Sequence, residues 1–388
     1  MRTDAKQRAS DKLAQLSRRG LNLATYWRQA NEVIAAAVRH YETPCWYTFD
    51  PASLLVTSHF HEGLPEIPRE WLVTEYYEDD VYKLADVARS QRGITTLYEA
   101  TAGDPAKSKR WHHNVAYGGD QELIAGLRTR DGAVWGALAL YRERGEPLFD
   151  SDELAFLRSV SGYLAEGARR ALLVGEATDR EWPDAPGIII ISERGEVESM
   201  TPGLDRWLDE LPDGDPTTGR LPSAVLAVAG RALQPASAHP PGDLPFARVL
   251  THTGAWAVLH GATLISDGSR RVAVIVEPAH PARISPLLMS AYGLTERERD
   301  ITRLVLRGYS TTEIAGELVL SAHTVQQHLK NVFEKTGVRS RRDLMGKVFF
   351  SYYEPRVRDN EHRVASSRPL RGGPMSPANR TADCPPER

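Results

Sequence analysis

The chain has 388 residues, of which 41% are hydrophobic and 26% charged, and its formal net charge is −3. That length provides for two to three domains, each able to bury a core. No apolar run approaches the roughly 20 residues of a membrane span, and the start, MRTDAKQR, lacks the apolar centre of a signal peptide. The two cysteines, Cys45 and Cys384, stand at opposite ends, build no disulfide framework and point to a reducing cytoplasm. G-x-S-x-G, G-x-x-x-x-G-K-[ST] and C-x-x-C are all missing, so an enzyme is a remote reading and neither metal nor cofactor is expected.

Residues 1–19 read as a flexible start. From 20 to 175 the pattern is that of an α/β module. Leu21–His40 places Leu23, Tyr26, Trp27, Ala30, Ile34 and Val38 at helical spacing. Two strands follow, Cys45–Phe49 and Ser53–His59, around a turn at Asp50-Pro51. Glu122–Arg128 and Val134–Tyr141 flank Arg130-Asp131-Gly132, a strong hairpin signal. Phe149 and Asp150 then open a long helix, Ser151–Gly175. The order of helix, strand pair, irregular middle, hairpin and closing helix, with Val134-Trp135-Gly136-Ala137-Leu138, Phe149 and Glu153-Leu154-Ala155-Phe156-Leu157, resembles a GAF domain. The resemblance implies a sensor fold and no particular ligand.

Within that module, Trp71, Tyr76 and Tyr77 lie where GAF sensors build ligand pockets, so they are the candidate contacts for an unidentified small molecule. The competing reading makes them core, beside the solvated acids Asp79 and Asp80. His59-x-His61 has no Cys/His cluster near it and reads as a solvated loop in preference to a metal pair. His112-His113 reads as exposed, and Cys45 as a small buried hydrophobe.

Residues 183–280 read as a smaller α+β module. Pro186–Ile191 and Val197–Met200 are strands about the Arg194-Gly195 turn. Helices around Leu204–Leu208 and Ala224–Ala232 come next, then a Pro-rich loop, Gln234–Pro245. Phe246–Thr251, Ala255–Ala262 and Arg271–Glu277 are three further strands. Two strands, helices and three strands resemble a PAS domain. Residues 281–290 read as a linker.

Residues 291–352 carry four short helical patterns. Thr295 with Glu298, and Ser310 with Glu313, are capping boxes, in which side chains at both ends satisfy orphan backbone amides. The first helix turns Ile301, Leu304 and Val305 inward and stops at Gly308. The second turns Ile314, Ala315 and Leu318 inward. Ser321 caps a third, which buries Val325, Leu329, Val332 and Phe333 and ends at Gly337. Ser340 caps a fourth, with Leu344, Val348 and Phe349 on its apolar side. The turn Val319–Ser321 is too short for anything but a steep crossing, as in helix-turn-helix units. The third helix then shows Thr324, Gln326, Gln327, Lys330 and Asn331 to solvent. Gln and Asn grip adenine bidentately, and Lys reaches guanine or phosphate.

Leu294-Thr295, Arg297-Glu298, Gly308, Ser310, Glu313-Ile314-Ala315, Leu318, Ser321, Thr324-Val325, His328, Lys335, Gly337-Val338 and Arg341 together resemble the LuxR-type helix-turn-helix of bacterial transcription regulators. The resemblance implies base contacts from Gln326, Gln327, Lys330 and Asn331. It implies phosphate contacts from Ser310, Thr311, Thr312, Thr324, Arg339 and Arg341, and a dimer contact around Asp343–Phe350. Gln326 stands where many members carry Lys or Arg, which moves weight from phosphate attraction to amide–base bonding.

Charge agrees with this division. Ile284–Tyr352 holds ten Lys/Arg and seven Asp/Glu, or +3, and Tyr353–Arg388 holds seven Arg and five acids, or +2, leaving about −8 upstream. An acidic front joined to a basic end suits a sensor joined to a DNA binder. Residues 353–388, rich in Pro, Arg, Gly and Ser, read as a disordered tail. The sequence therefore predicts a multidomain chain: an α/β sensor, a smaller α+β module and an all-α four-helix DNA-binding domain. The expected partners are double-stranded promoter DNA, a second copy of the chain and an unidentified small molecule, with no membrane. The alternative is that the two front modules serve only as a dimerisation scaffold.

Overall fold

The computed structural model describes residues 2–62, 69–173, 186–215, 219–235, 244–266, 269–348, 361 and 363–366. It divides into two compact units, residues 1–178 with 185–279, and residues 179–184 with 280–388. Most of the tail, Phe349 and the centre of the Pro-rich loop lie outside the described residues. Among the described residues no helix is long and apolar enough to cross a membrane.

The first unit holds two five-stranded antiparallel sheets. The chain starts with α1 (Arg2–Leu16) and α2 (Leu23–Ala35), then β1 (Tyr41–Phe49) and β2 (Val56–Phe60). The middle contributes α3 (Arg69–Tyr76), α4 (Leu84–Arg89), β3 (Ile94–Thr96), α5 (Leu97–Ala100) and α6 (Lys109–Ala116). The hairpin β4 (Gln121–Arg128) and β5 (Val134–Arg142) turns at Gly132, whose φ of 88° is left-handed. Helix α7 (Ser151–Ala171) starts at a capping box between Asp150 and Glu153. The strand order is β2-β1-β5-β4-β3. Along the chain, helix, strand pair, irregular middle, hairpin and closing helix follow in the order that the sequence predicts.

Alternation along the strands gives this sheet two different faces. Trp46, Leu123, Ala125, Leu127, Leu138 and Leu140 join α1, α2 and α7 in one apolar core. Trp27 stacks on Trp46 at 4.3 Å, and the Trp46 indole donates to buried Asn31 at 2.6 Å. The start expected to be flexible is therefore helix α1. Ala9, Leu13 and Leu16 recur at helical spacing and are buried in that core. The opposite face presents Cys45, Tyr47, Glu122 and Tyr141, and is described with the site below.

The second sheet comprises β6 (Gly187–Ser192), β7 (Val197–Met200), β8 (Phe246–Leu250), β9 (Trp256–Ser266) and β10 (Ser269–Pro278), ordered β7-β6-β10-β9-β8. Helices α8 (Leu204–Leu208) and α9 (Ser223–Leu233) lie between β7 and β8 in sequence. Ser223–Ala232 of α9 is buried without a break. A helix apolar all round needs partners all round, and α9 packs on β9 and β10 as well as on β2 and α3 of the first sheet. Its Gly230 leaves no room for a side chain, since a Cβ there would lie 2.3 Å from the Tyr76 carbonyl oxygen. Asp50, in the β1–β2 turn, accepts from the Arg248 backbone N–H at 3.0 Å and from its Nε at 2.7 Å, with both side chains buried. Asp213 accepts from the His59 backbone N–H at 3.1 Å. The two stretches that the sequence divides at 175–183 thus share one packed unit.

The second unit begins with α10 (Pro281–Ala291), where a linker is expected. Pro281 occupies the first turn, where a missing N–H costs nothing, and Ile284, Leu287, Leu288 and Ala291 are buried. Four helices follow: α11 (Glu296–Leu306), α12 (Thr311–Glu317), α13 (Ala322–Thr336) and α14 (Arg341–Val348). Ile301, Leu304, Val305, Ile314, Ala315, Val325, Leu329, Val332 and Leu344 form their core, with Leu318 and Phe333 packed against it.

Candidate nucleic-acid interface

Both capping boxes of this unit are closed. Glu298 N donates to Thr295 Oγ1 at 3.4 Å while Thr295 N donates to Glu298 Oε2 at 2.8 Å. Ser310 N donates likewise to Glu313 Oε2 at 2.6 Å, and the Glu313 carboxyl is held below its usual range by the Ser310 backbone and side-chain bonds. Glu298 has a second task. Its buried carboxylate accepts from Lys335 Nζ at 2.6 Å, tying the end of α13 to the start of α11. Burial alone would raise the Glu298 carboxyl, but Lys335 and the Thr295 backbone outweigh it, and the group sits below its ordinary value.

The α12–α13 connection is held by a bond from Leu320 N to Ala315 O at 2.8 Å. Val319 takes the left-handed backbone, φ 53°, and is 90% exposed. Ser321 then caps α13 by accepting from Thr324 N at 3.0 Å.

With Val325, Leu329 and Val332 locked in the core, Gln326, Gln327 and Lys330 are exposed on α13. Asn331 is half-buried at the margin of that face. Thr312 is exposed and Thr311 half-buried at the start of α12, where the free amides and the helix dipole favour a phosphate. Ser310 and Thr324 are engaged locally: Ser310 Oγ accepts from Glu313 N at 3.3 Å, and Thr324 Oγ1 lies 2.8 Å from Ser321 Oγ. Arg339 is exposed, whereas Arg341 is half-buried, with Nε and one terminal nitrogen enclosed and unpartnered among the described residues.

A second polar centre lies on the far face of the first sheet, and the sequence does not single it out. Arg110 of α6 is 1% exposed. It pairs with Glu75 of α3 and stands 3.5 Å from Glu122 of β4. Its guanidinium also faces the rings of Trp71 at 5.0 Å and Tyr82 at 5.3 Å. Tyr82 and Tyr141 donate to Glu122 at 2.7 and 3.1 Å. Trp71 stacks on Tyr47 and donates to Asn114 at 3.2 Å. Burial pushes the Glu75 carboxyl up against the pull of Arg110, and pushes the Cys45 thiol up to about 12. Among the described residues, Arg110 Nε and Asn114 Nδ2 are buried without a hydrogen-bond partner, and Arg110 Nη1 has only the ion-pair contact with Glu122.

Of the three expected pocket residues, only Trp71 belongs to this centre. Tyr76 points to α9, with its phenol beside Ser223 and Asp213, and Tyr77 lies against Gly195 of the second sheet. Asp80 is not a free acid, since it accepts from Ser108 and from the backbone N–H groups of Lys109 and Arg110 at the start of α6. His59 is in β2 and not in a solvated loop: its ring stacks on Tyr47 at 4.7 Å and lies 5.0 Å from that of His61. His113 reaches Thr74 at 3.2 Å, and His112 is exposed. Among the described residues no group of three or more His, Cys, Asp or Glu side chains is placed to hold a metal.

Residues 293–348 match the family model of bacterial regulatory proteins, luxR family. The C-terminal segment is therefore a LuxR-type helix-turn-helix domain, which implies a role in DNA-binding transcription regulation. Among solved structures, the chain is similar to a putative GAF sensor protein from Burkholderia vietnamiensis, at 14% identity over 44% of this chain and 98% of that one, with a TM-score of 0.32. It is also similar to the phycoerythrobilin-bound GAF domain of a cyanobacterial phytochrome, at 16% identity over 43% and 96%, with a TM-score of 0.29. Neither likeness carries a ligand or an activity over to this chain.

Proposed function

We propose that this chain is a homodimeric, cytoplasmic, sequence-specific regulator that reads promoter DNA with α13 and is modulated by its N-terminal unit. The observation that carries the reading is the division of α13 into a core-locked face and an exposed row of Gln326, Gln327 and Lys330. Base contacts come from that row, with Asn331 at its edge. Phosphate contacts come from Ser310, Thr311, Thr312, Thr324, Arg339 and Arg341. A dimer favours an inverted repeat whose half-sites lie one helical turn apart. The test is footprinting and titration of the full chain on promoter fragments at fixed salt. Lys330→Ala and Gln327→Ala should each cost about 1–3 kcal/mol; unchanged affinity and pattern in both would remove α13 from the role of reader. No catalytic step is part of this reading.

Modulation by a small molecule is favoured over a bare scaffold by Arg110 Nε and Asn114 Nδ2, which lack a hydrogen-bond partner among the described residues and lie beside Trp71. Unpaired donors in a buried aromatic setting are costly and suit a ligand bearing acceptor atoms. Native mass spectrometry of the purified chain tests this. A bound species lost in Trp71→Ala supports the sensor, whereas empty protein and no thermal shift across a metabolite panel support the scaffold.

A further inference from the structure

Row geometry on α13 adds one residue to the reading surface and limits the rest. Helical spacing places His323, Gln327, Lys330 and Glu334 in one line, at steps of four, three and four residues. All four are exposed, on the side away from Val325, Leu329 and Val332. His323 sits in the first turn, just after the Ser321 cap, and among the described residues its imidazole makes no hydrogen bond. At about 1.5 Å per residue, His323 to Lys330 spans about 10 Å, or roughly three base-pair steps. Glu334 closes the row with a carboxylate, which phosphates repel. The line can therefore enter a major groove only by its N-terminal end, which is the end that helix-turn-helix proteins present to base edges.

We infer that His323 is a specificity-determining residue, donating from its imidazole to the N7 of a purine at the outermost base pair that α13 reads in each half-site. The inference rests on the DNA-reading role of α13. The chemistry fits the position: an imidazole offers one N–H to a single acceptor, and purine N7 is the acceptor that guanine and adenine share in the major groove. The outer position is then read as purine against pyrimidine, while Gln326, Gln327 and Lys330 discriminate further in. Gln326 contributes no charge, so this contact bears on sequence choice more than on salt dependence.

The experiment uses the full chain and an operator obtained by selection from random DNA. The outer purine is replaced by its 7-deaza analogue, which keeps the base pair and removes the acceptor. The wild-type chain should lose affinity by roughly 5- to 150-fold, the range expected for one base contact. The His323→Ala chain should bind the ordinary operator more weakly and show no further loss on the 7-deaza DNA. His323→Ala alters an exposed side chain, and an unchanged melting temperature would show that the fold is kept. If the variant keeps the full 7-deaza penalty while Lys330→Ala loses binding, the His323 inference is wrong and the reading of α13 stands. If neither Lys330→Ala nor Gln327→Ala changes the selected sequence or the affinity, the reading of α13 falls and takes the inference with it.

Discussion

Asp50→Ala should loosen both sheets of the N-terminal unit together. Asp50 gives its carboxylate to the Arg248 backbone N–H, Nε and Nη2, and it also accepts from Ala52 N at 2.9 Å. The Arg248 side chain is 7% exposed and that of Asp50 0%. Truncating Asp50 therefore leaves a buried guanidinium without its carboxylate, at a cost of about 3–5 kcal/mol. That corresponds to a loss of two to nearly four orders of magnitude in hydrogen-exchange protection. Because α9 is buried between the sheets, the loss should be equal in β4–β5 and in β8–β9, read by amide exchange with mass spectrometry. Removing both charges, as Asp50→Leu with Arg248→Met, should recover only the part of the loss that comes from the unpaired charge, since the Arg248 and Ala52 backbone N–H groups still lose their acceptor. Loss confined to β8–β9, with β4–β5 unchanged, would refute the idea that the sheets unfold as one unit. A cost below about 1 kcal/mol would refute the buried pair itself.

Three further changes test other joints. Lys335→Met removes the partner of buried Glu298 and should destabilise the helix-turn-helix domain by about 1–3 kcal/mol at neutral pH. Because Glu298 is depressed in the folded state, the Lys335-dependent stability is present above the unfolded carboxyl range, near 4.3, and fades as pH falls through the folded value. Thermal melts of both chains from pH 7 to pH 3 should therefore converge, and a constant gap would contradict the assignment. Gly230→Ala forces a methyl against the Tyr76 carbonyl and should cost about 1–3 kcal/mol by overpacking; a melting temperature equal to wild type would show that α9 can move away. Val319→Gly relieves a left-handed β-branched residue that is 90% exposed and should raise stability by up to about 1 kcal/mol, so a clear loss in denaturant titration would show that its strain is illusory.

What was legible in the sequence was local. The capping boxes at Thr295/Glu298 and Ser310/Glu313, the Asp131-Gly132 hairpin and the Ser321 cap depend on residues at most a few positions apart, and each lies where the pattern predicts. Helix α1 is not legible in the sequence, because Ala9, Leu13 and Leu16 are sparse among charges and the α7 surface that buries them is over 130 positions away. The prolines at 281 and 286 suggest a linker, yet Ile284, Leu287, Leu288 and Ala291 carry the i, i+3, i+4, i+7 spacing of helix α10. Arg110 gives no signal, since its burial depends on Glu75 and Trp71 of α3, Tyr82 of the α3–α4 loop and Glu122 of β4, brought together from three parts of the chain. His323 is not among the residues that the sequence predicts to face solvent, and its exposure in line with Gln327 and Lys330 is a finding of the structure.

The missed contacts give the N-terminal unit its physical character. Helix α3 carries Trp71 and Glu75 toward Arg110, and its next residue, Tyr76, abuts Gly230 of α9 with no room to spare. A close-packed contact transmits displacement because neither side can yield without opening a void or a clash. A ligand that satisfied the unpartnered donors of Arg110 and Asn114 would compete with Glu75 and Glu122 for that guanidinium and thereby act on α3. Movement of α3 must then be followed by α9, or be resisted by the Asp50–Arg248 pair that holds β1–β2 to β8. Weakening Asp50–Arg248 should make the unit more responsive to any occupant of the Arg110 site as well as less stable, and protection of α9 with and without that occupant is the measurement that separates the two effects.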